Sequence, residues 1–126
     1  MEIDVLVEIE RVIQLYIDGA NGDVPKLEEA FHADARMYGH IGPMDTYVPI
    51  GDFFKLVADN PGLAGPDYRA WITSMNVVGD AAVVVLQEDD YMGCSFVDFF
   101  SLARIDDRWK IVNKTYAHTG GSPPHA

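Results

Sequence analysis

The chain has 126 residues, of which 48% are hydrophobic and 23% charged, and its formal net charge is -11. This length suits one domain with one core, and the composition argues against intrinsic disorder. A chain with a sequence pI near 4.4 lacks the clustered basic residues that nucleic acids and anionic membranes attract. We therefore expect neither as a partner.

The cysteine content and the first residues of the chain bear on its cellular compartment and on the kinds of disulfide and metal site that it can form. Cys94 is the single cysteine, so neither an intramolecular disulfide nor a zinc site of several thiolates can form. The first residues are acidic and amphipathic, unlike a signal peptide, and no apolar run approaches the roughly 20 residues of a membrane span. We expect a cytoplasmic protein. No HExxH spacing, phosphate-binding loop or dinucleotide fingerprint occurs, so we expect no metal and no cofactor.

The spacing of apolar residues predicts helices in the first half of the chain. From 3 to 19 they recur three or four positions apart, which indicates an amphipathic helix. Gly19 and Gly22 mark its end. Asp23 suits the N-cap of a second, short helix, with Pro25 in its first turn, where a missing N–H costs little.

The middle of the chain is less regular. Residues 35–38 predict a short strand, and the glycine- and proline-containing stretch 39–49 predicts an irregular loop. A third helix is predicted over 50–59, and the turn-rich stretch 60–67 predicts a second loop. Both loops are placed where they could close over a pocket.

Four strands are predicted in the second half. Two of them, 68–78 and 81–92, flank a Gly-Asp turn at 79–80 and form a hairpin. The two closing strands cover about 96–105 and 109–118. Because the helices precede the strands, we predict an α+β fold in which three N-terminal helices pack on a curved antiparallel sheet.

The chain reads as one domain over residues 1–118. A strongly twisted sheet bent around helices leaves a concave pocket between the two layers. The remaining stretch, 119–126, contains no core-forming residues, and we predict that it is a flexible tail.

The closing hairpin carries an unusual feature, because Asp98 stands inside an otherwise aromatic and apolar strand. A carboxylate there is either exposed on the outer sheet face or buried for a reason. Buried and unpaired, it would be costly or would take up a proton. Side chains alternate along a strand, so an even register would bring Asp98 near Lys114 and Tyr116.

Four strings of residues carry a resemblance to a known superfamily. They are VIQLYIDGANGD at 12–23, LEEAFHADARM at 27–37, ITSMNVVGDAAVVV at 72–85 and FVDFFSLARIDDRWKIVNK at 96–114. The chain resembles the nuclear-transport-factor-like (SnoaL-like) superfamily, and within it the lumazine-binding family. The resemblance implies a cone-shaped, cystatin-like α+β fold with a cavity, and a homodimer packed through the outer sheet face.

The same superfamily contains the ketosteroid isomerases, which are more distantly similar. In them a tyrosine of the first helix and an aspartic acid of a late strand form an oxyanion hole. The surroundings raise the pKa of that aspartic acid, which is therefore protonated. The resemblance places Tyr16 and Asp98 at these two positions. The position of the catalytic base falls on Gly39, which cannot abstract a proton. The isomerase machinery is therefore incomplete.

Candidate residues follow from these placements. The candidate catalytic residues are Asp98, Tyr16 and His40, the last as a substitute base beside Gly39. The candidate ligand-binding residues are Tyr16, Tyr38, Phe54, Trp71, Asp98, Phe100, Lys114, Tyr116 and His118. Each also has a structural interpretation: Asp98 can form a structural pair with Lys114, Tyr16 can be a satisfied core aromatic, and His40 can be an exposed loop residue.

Three functions remain open at this level. The first is a small-molecule-binding domain that encloses an apolar or heteroaromatic ligand. The second is a cofactor-independent lyase or isomerase, with Asp98 or His40 as acid or base. The third is a dimeric scaffold whose cavity is filled by side chains. Gly39 favours binding over catalysis. Apolar residues of the outer sheet face, such as Val97 and Phe99, predict a homodimer.

Overall fold

A computed structural model describes residues 3–123 of the chain. Within them the chain forms three helices and six strands. The helices are α1 (Ile3–Ala20), α2 (Val24–Ala30) and α3 (Ile50–Asp59). The strands are β1 (Phe31–Ile41), β2 (Met44–Pro49), β3 (Ala64–Val78), β4 (Ala81–Tyr91), β5 (Cys94–Ile105) and β6 (Arg108–Gly121). Helices α1 and α3 lie within one residue of their predicted ranges, and α2 begins directly after Asp23, as predicted.

The helices form where the sequence pattern requires them. Along α1 the residues Ile9, Val12, Ile13 and Tyr16 are buried at helical spacing and face the sheet. Pro25 stands in the first turn of α2, as predicted, and Phe31 begins strand β1 instead of extending that helix. Within residues 3–123, no helix combines the length and the hydropathy needed to cross a bilayer.

The strands form one curved sheet in the order β2-β1-β6-β5-β4-β3. All neighbours are antiparallel except β1 and β6, which run parallel. The α+β class is confirmed, whereas the prediction of a purely antiparallel sheet is wrong. Strand β1 comes before the long meander β3–β6, and its neighbour β6 is the last strand of that meander. No direct turn joins β1 to β6, so the two strands can run parallel.

Tight turns set the register of the late hairpins. Asp106 and Asp107 have φ angles of 51° and 63°, and Ile105 pairs with Arg108 around them. Two positive φ angles are typical of a type I′ turn, whose twist matches that of the flanking strands. Aspartate tolerates this conformation better than most residues, so the Asp-Asp pair specifies the closing hairpin.

Three predicted boundaries are corrected. The stretch 39–49 is not a loop, because β1 continues to Ile41 and forms a hairpin with β2. Likewise β3 begins at Ala64, inside the predicted loop 60–67. The predicted tail begins as strand: β6 runs to Gly121, which pairs with Cys94. Residues 124–126 of that tail lie outside the described residues.

Candidate functional site

A diagonal row of three ionisable side chains crosses the inner face of the sheet. Glu88 of β4, Asp98 of β5 and Lys114 of β6 are 1%, 1% and 5% exposed. Asp98 pairs with Leu86 on one side and with Tyr116 on the other. Glu88 and Lys114 each stand two residues along from these partners, so both are diagonal neighbours of Asp98 on the same face.

A β-bulge in β6 brings Lys114 to this face. From Ile105–Arg108 to Leu102–Ile111 the two closing strands keep one register, which then shifts so that Phe100 pairs with Lys114. Because the extra residue falls after Ile111, both Ile111 and Lys114 point inward although they are three positions apart. A bulge re-aims side chains in this way.

Glu88 is the hydrogen-bond centre of the site. Its Oε1 accepts a 2.8 Å hydrogen bond from the Tyr16 hydroxyl, and its Oε2 accepts a 2.6 Å bond from the Tyr68 hydroxyl. Burial raises the pKa of both tyrosines, and nearby carboxyl charge raises it further. Both phenols therefore stay protonated and serve as donors.

Asp98 is buried without a polar partner. Neither of its carboxyl oxygens has a hydrogen bond to any group within residues 3–123. Burial raises the pKa of Asp98 well above its usual range. Glu88 raises it further, by its charge and as the acceptor that a protonated Asp98 would face, while Lys114 opposes the shift. Burial therefore favours the protonated form of Asp98, which can donate a hydrogen bond.

The Lys114 ammonium lies among aromatic rings. Its Nζ is 4.3 Å from the centroid of Phe53, 5.2 Å from Tyr16 and 5.5 Å from Tyr116. These distances suit cation–π attraction. Within residues 3–123 no carboxylate forms an ion pair with this side chain, unlike the pairs on the protein surface.

A cavity of about 340 Å³ lies over Glu88 and Lys114. Its wall is mainly apolar. The lining residues are Met37, Ile41, Met44, Thr46, Val48, Asp52, Phe53, Leu56, Glu88, Tyr91, Met92, Phe96, Lys114 and Tyr116. A wider surface depression of about 810 Å³ shares Ile41, Met44, Leu56 and Met92 with it and forms its mouth. That depression lies away from the ionisable row, so the smaller cavity is the candidate site.

The ring of Tyr116 covers Gly39, the position at which the resemblance to the isomerases implied a base. Gly39 pairs with Tyr116 across β1 and β6, and a Cβ atom added at Gly39 would lie 2.5 Å from the tyrosine ring. No side chain fits there without displacing the ring. The Tyr116 hydroxyl donates a 2.8 Å hydrogen bond to Thr46 Oγ1 on β2 and so ties the cavity wall together.

The structure separates the predicted ligand-binding residues. Lys114 and Tyr116 line the cavity. Asp98, Tyr16 and Phe100 are buried beneath its floor, where the Tyr16 and Phe100 rings meet edge to face at 4.8 Å. The expected pair of Asp98 with Lys114 does not form a hydrogen bond.

The other predicted ligand-binding residues lie outside the cavity. Tyr38 and Trp71 are 36% and 42% exposed on the outer face, because strand alternation turns them away from the helices. Phe54 packs against Phe31 beside α2, and the ring of His118 contacts the carbonyls of Gly120 and Gly121.

His40 points away from the cavity. Its Nδ1 lies 2.5 Å from Asp45 Oδ1 and its Nε2 lies 3.2 Å from the Tyr47 hydroxyl, all on the exposed β1–β2 hairpin. The neighbouring Gly39 faces inward, so strand alternation places His40 outside. A role as base inside the cavity is not compatible with this position.

Sequence reasoning missed Glu88, the residue on which the polar network depends. A signal for it exists: Ala82, Val84 and Leu86 are buried, and alternation along β4 continues that inner face to Glu88. Tyr68 and Met92 were missed as well. The Tyr68 hydroxyl bonds to Glu88 of another strand, and Met92 lines the cavity together with residues of other strands. Residues 3–123 contain no group of three or more His, Cys, Asp or Glu side chains that could hold a metal ion.

Comparison with known proteins places this site in a family. The family profile described as "Putative lumazine-binding" matches residues 4–117, which is most of the chain. The chain belongs to this family. The matched range includes every strand that carries the ionisable row, and it ends within β6, beyond Lys114 and Tyr116.

Solved structures of similar proteins share the fold. An NTF2-like protein of unknown function from Shewanella baltica OS155 is 26% identical, with a TM-score of 0.85, over 96% of this chain and 98% of its own. A second, from Methylobacillus flagellatus KT, is 27% identical, with a TM-score of 0.85, over 95% and 96%. The curated aldolase FrzH from Cladobotryum sp is 24% identical over 96 residues, which is 75% of each chain.

Proposed function

We propose that this member of the lumazine-binding family binds an uncharged aromatic or heteroaromatic carbonyl compound in the cavity over Glu88 and Lys114. One observation carries the proposal: Lys114 lines an apolar cavity, and within residues 3–123 its ammonium lies against aromatic rings without a carboxylate partner. Buried polar groups are normally satisfied, so a bound molecule or water is the expected partner. Lys114 contacts that ligand directly, and Asp98 polarises the floor.

The charges of the cavity favour a neutral ligand. Glu88 and Lys114 have opposite formal charges and line the same cavity, and the raised pKa of Asp98 favours its neutral form. An anion would face Glu88 and a strongly acidic protein, and a cation would face Lys114. A carbonyl oxygen can accept from Lys114, and a ring N–H can donate to Glu88.

The family description supports the heteroaromatic part of this proposal. Lumazine is a bicyclic heteroaromatic compound with carbonyl acceptors and ring N–H donors. Phe53, Phe96 and Tyr116 give the cavity aromatic walls against which such a ring can stack. The wall of methionines, Met37, Met44 and Met92, adapts to ligands of different outline.

A cofactor-independent lyase is the second candidate. The similarity to a protein named aldolase FrzH favours it, together with the raised pKa of Asp98, which lies beside Glu88. Two neighbouring carboxyl groups can divide the acid and base steps of a reaction between them. The absence of a side chain at Gly39 keeps this candidate second.

We also propose a homodimer formed through the outer sheet face. Val83 and Phe99 are 47% and 44% exposed there and flank Val85 and Val97. Exposed apolar side chains in a continuous patch are typical of protein interfaces. The cavity opens on the other face, so a dimer of this kind leaves both cavities accessible.

A thermal-shift screen with a blocked cavity tests the binding proposal. Lumazine, 2-naphthaldehyde and 2-naphthylmethanol are tested against the wild type, Leu56→Trp and Val7→Trp. Leu56 lines the cavity and its mouth, whereas Val7 is exposed on α1. A ligand at a hundred times its Kd stabilises the folded state by about 2.7 kcal/mol. We expect this gain in the wild type and Val7→Trp, and its loss in Leu56→Trp; equal gains in all three would refute the site.

A further inference from the structure

The lysines of this chain differ sharply in their surroundings. Lys26, Lys55 and Lys110 lie at the surface and contact Asp18, Asp59 and the Glu29 carbonyl. Lys114, the fourth, is 5% exposed and lines the cavity. Its nitrogen is held by the faces of Phe53, Tyr16 and Tyr116 rather than by a carboxylate. The Lys114 amine is therefore accessible mainly to a molecule bound in the cavity.

We infer that Lys114 is a nucleophilic amine that forms an imine with aldehyde or ketone ligands of the cavity. The inference rests on the proposed binding function, since the carbonyl compound must first enter the cavity. It goes further by assigning a covalent step to one atom, Lys114 Nζ. Lysines in apolar surroundings commonly serve in such Schiff-base chemistry.

The atoms and charges of the step balance. Water that enters through the mouth of the cavity takes one proton from the ammonium, which frees the nitrogen lone pair. That pair forms a C–N bond to the carbonyl carbon, and the carbonyl π electrons move to oxygen. The C–O bond then breaks, the oxygen leaves as water, and a C=N bond forms. Two protons of the ammonium leave in the water and the third passes to solvent.

The aromatic cage also limits which carbonyl compounds react. Phe53 and Tyr116 flank the nitrogen, and Met37 and Phe96 form the wall beyond them. A flat aromatic aldehyde can lie between these side chains with its carbonyl carbon toward Lys114. Charged keto acids fit poorly because their carboxylate would approach Glu88.

Reductive trapping tests the inference on the intact protein. The chain is incubated with 2-naphthaldehyde and sodium cyanoborohydride, and the adducts are located by mass spectrometry of peptides. We expect one adduct per chain, on Lys114. Its yield should exceed that on Lys110 by more than about tenfold, because a bound carbonyl has a high effective concentration at the nitrogen. Equal labelling of all four lysines would overturn the inference.

Two controls separate this inference from the binding proposal. The alcohol 2-naphthylmethanol has the same ring and cannot form an imine. If the alcohol binds and the aldehyde is not trapped on Lys114, the imine inference is wrong and the binding proposal stands. If neither compound binds, both fail. Lys114→Arg keeps the charge and removes the nucleophile; it should lose the adduct, and an unchanged adduct yield would also refute the inference.

Discussion

Strands β4, β5 and β6 present opposite surfaces on the two faces of one sheet. The inner face carries Glu88, Asp98 and Lys114, which are ionisable and almost fully buried. The outer face carries Val83 and Phe99, which are apolar and nearly half exposed. The buried face thus carries polar side chains that water would solvate, and the exposed face carries apolar side chains that burial would stabilise. Each arrangement costs free energy when no partner covers it.

This contrast supports the two proposals made above. A small molecule can match the individual donors and acceptors of Glu88 and Lys114 in the cavity. A second copy of the chain would supply, by symmetry, an extended surface that covers the apolar outer patch. Three predictions test these two proposals.

The largest effect is expected on the outer face, for Phe99→Asp. In a two-fold dimer the change is made twice in one interface, and each buried phenylalanine contributes about 2 kcal/mol. We expect dimer dissociation to be favoured by about 4 kcal/mol, which equilibrium sedimentation would detect as a shift to monomer. Val7→Asp on α1 is the control and should leave the dimer intact. A wild type that is monomeric at micromolar concentration would contradict the proposed homodimer.

The next effect is expected on the inner face, for Glu88→Leu. The change leaves the Tyr16 and Tyr68 hydroxyls without their acceptor. A buried unsatisfied donor costs about 1–3 kcal/mol, so we expect a loss of about 3 kcal/mol in the free energy of unfolding, measured in urea. Glu88→Gln keeps one acceptor oxygen and should lose less. Equal stability of the leucine variant would show that Glu88 does not organise the site.

The third effect, which is spread over a range of pH, concerns the stability contributed by Asp98. Its pKa is raised in the folded protein, so above about pH 4 the unfolded chain releases the proton while the folded chain keeps it. Stability must then fall as pH rises, by up to about 1.4 kcal/mol per pH unit, until the folded-state pKa is passed. Below about pH 4 both states hold the proton and the term vanishes.

Asp98→Asn removes this term and gives the measurement. The free energy of unfolding of the asparagine variant, relative to the wild type, should increase as pH rises above about 4. Asp107→Asn, in the exposed turn of the closing hairpin, is the matched control and should show no such slope. A flat difference for Asp98→Asn would mean that Asp98 is ionised in the folded protein.

Much of the fold could be read from local patterns in the sequence. Helical spacing located α1, and Gly79 and the Asp-Asp turn at 106–107 located the two hairpins. These features depend on residues close together in the chain, and such signals are strong. The strand pattern left the direction of Asp98 open, and only the resemblance to the isomerases implied that it points inward.

The remainder depends on pairings that no local pattern encodes. The parallel contact of β1 with β6 joins the two ends of the fold, and its register decides that Tyr116 covers Gly39. The bulge after Ile111 decides that Lys114 faces inward. Strand β2 was missed because a short edge strand ending at Pro49 needs little strand propensity.

The methionines offer the most direct test of the central claim that the cavity over Glu88 and Lys114 takes a ligand. Met37, Met44 and Met92 line it, whereas Met75 lies on β3 away from it. In protein labelled with ¹³C at the methionine methyl groups, 2-naphthylmethanol should shift the NMR signals of the three lining residues and leave Met75 unchanged. No shift at the three, or an equal shift at Met75, would contradict the account.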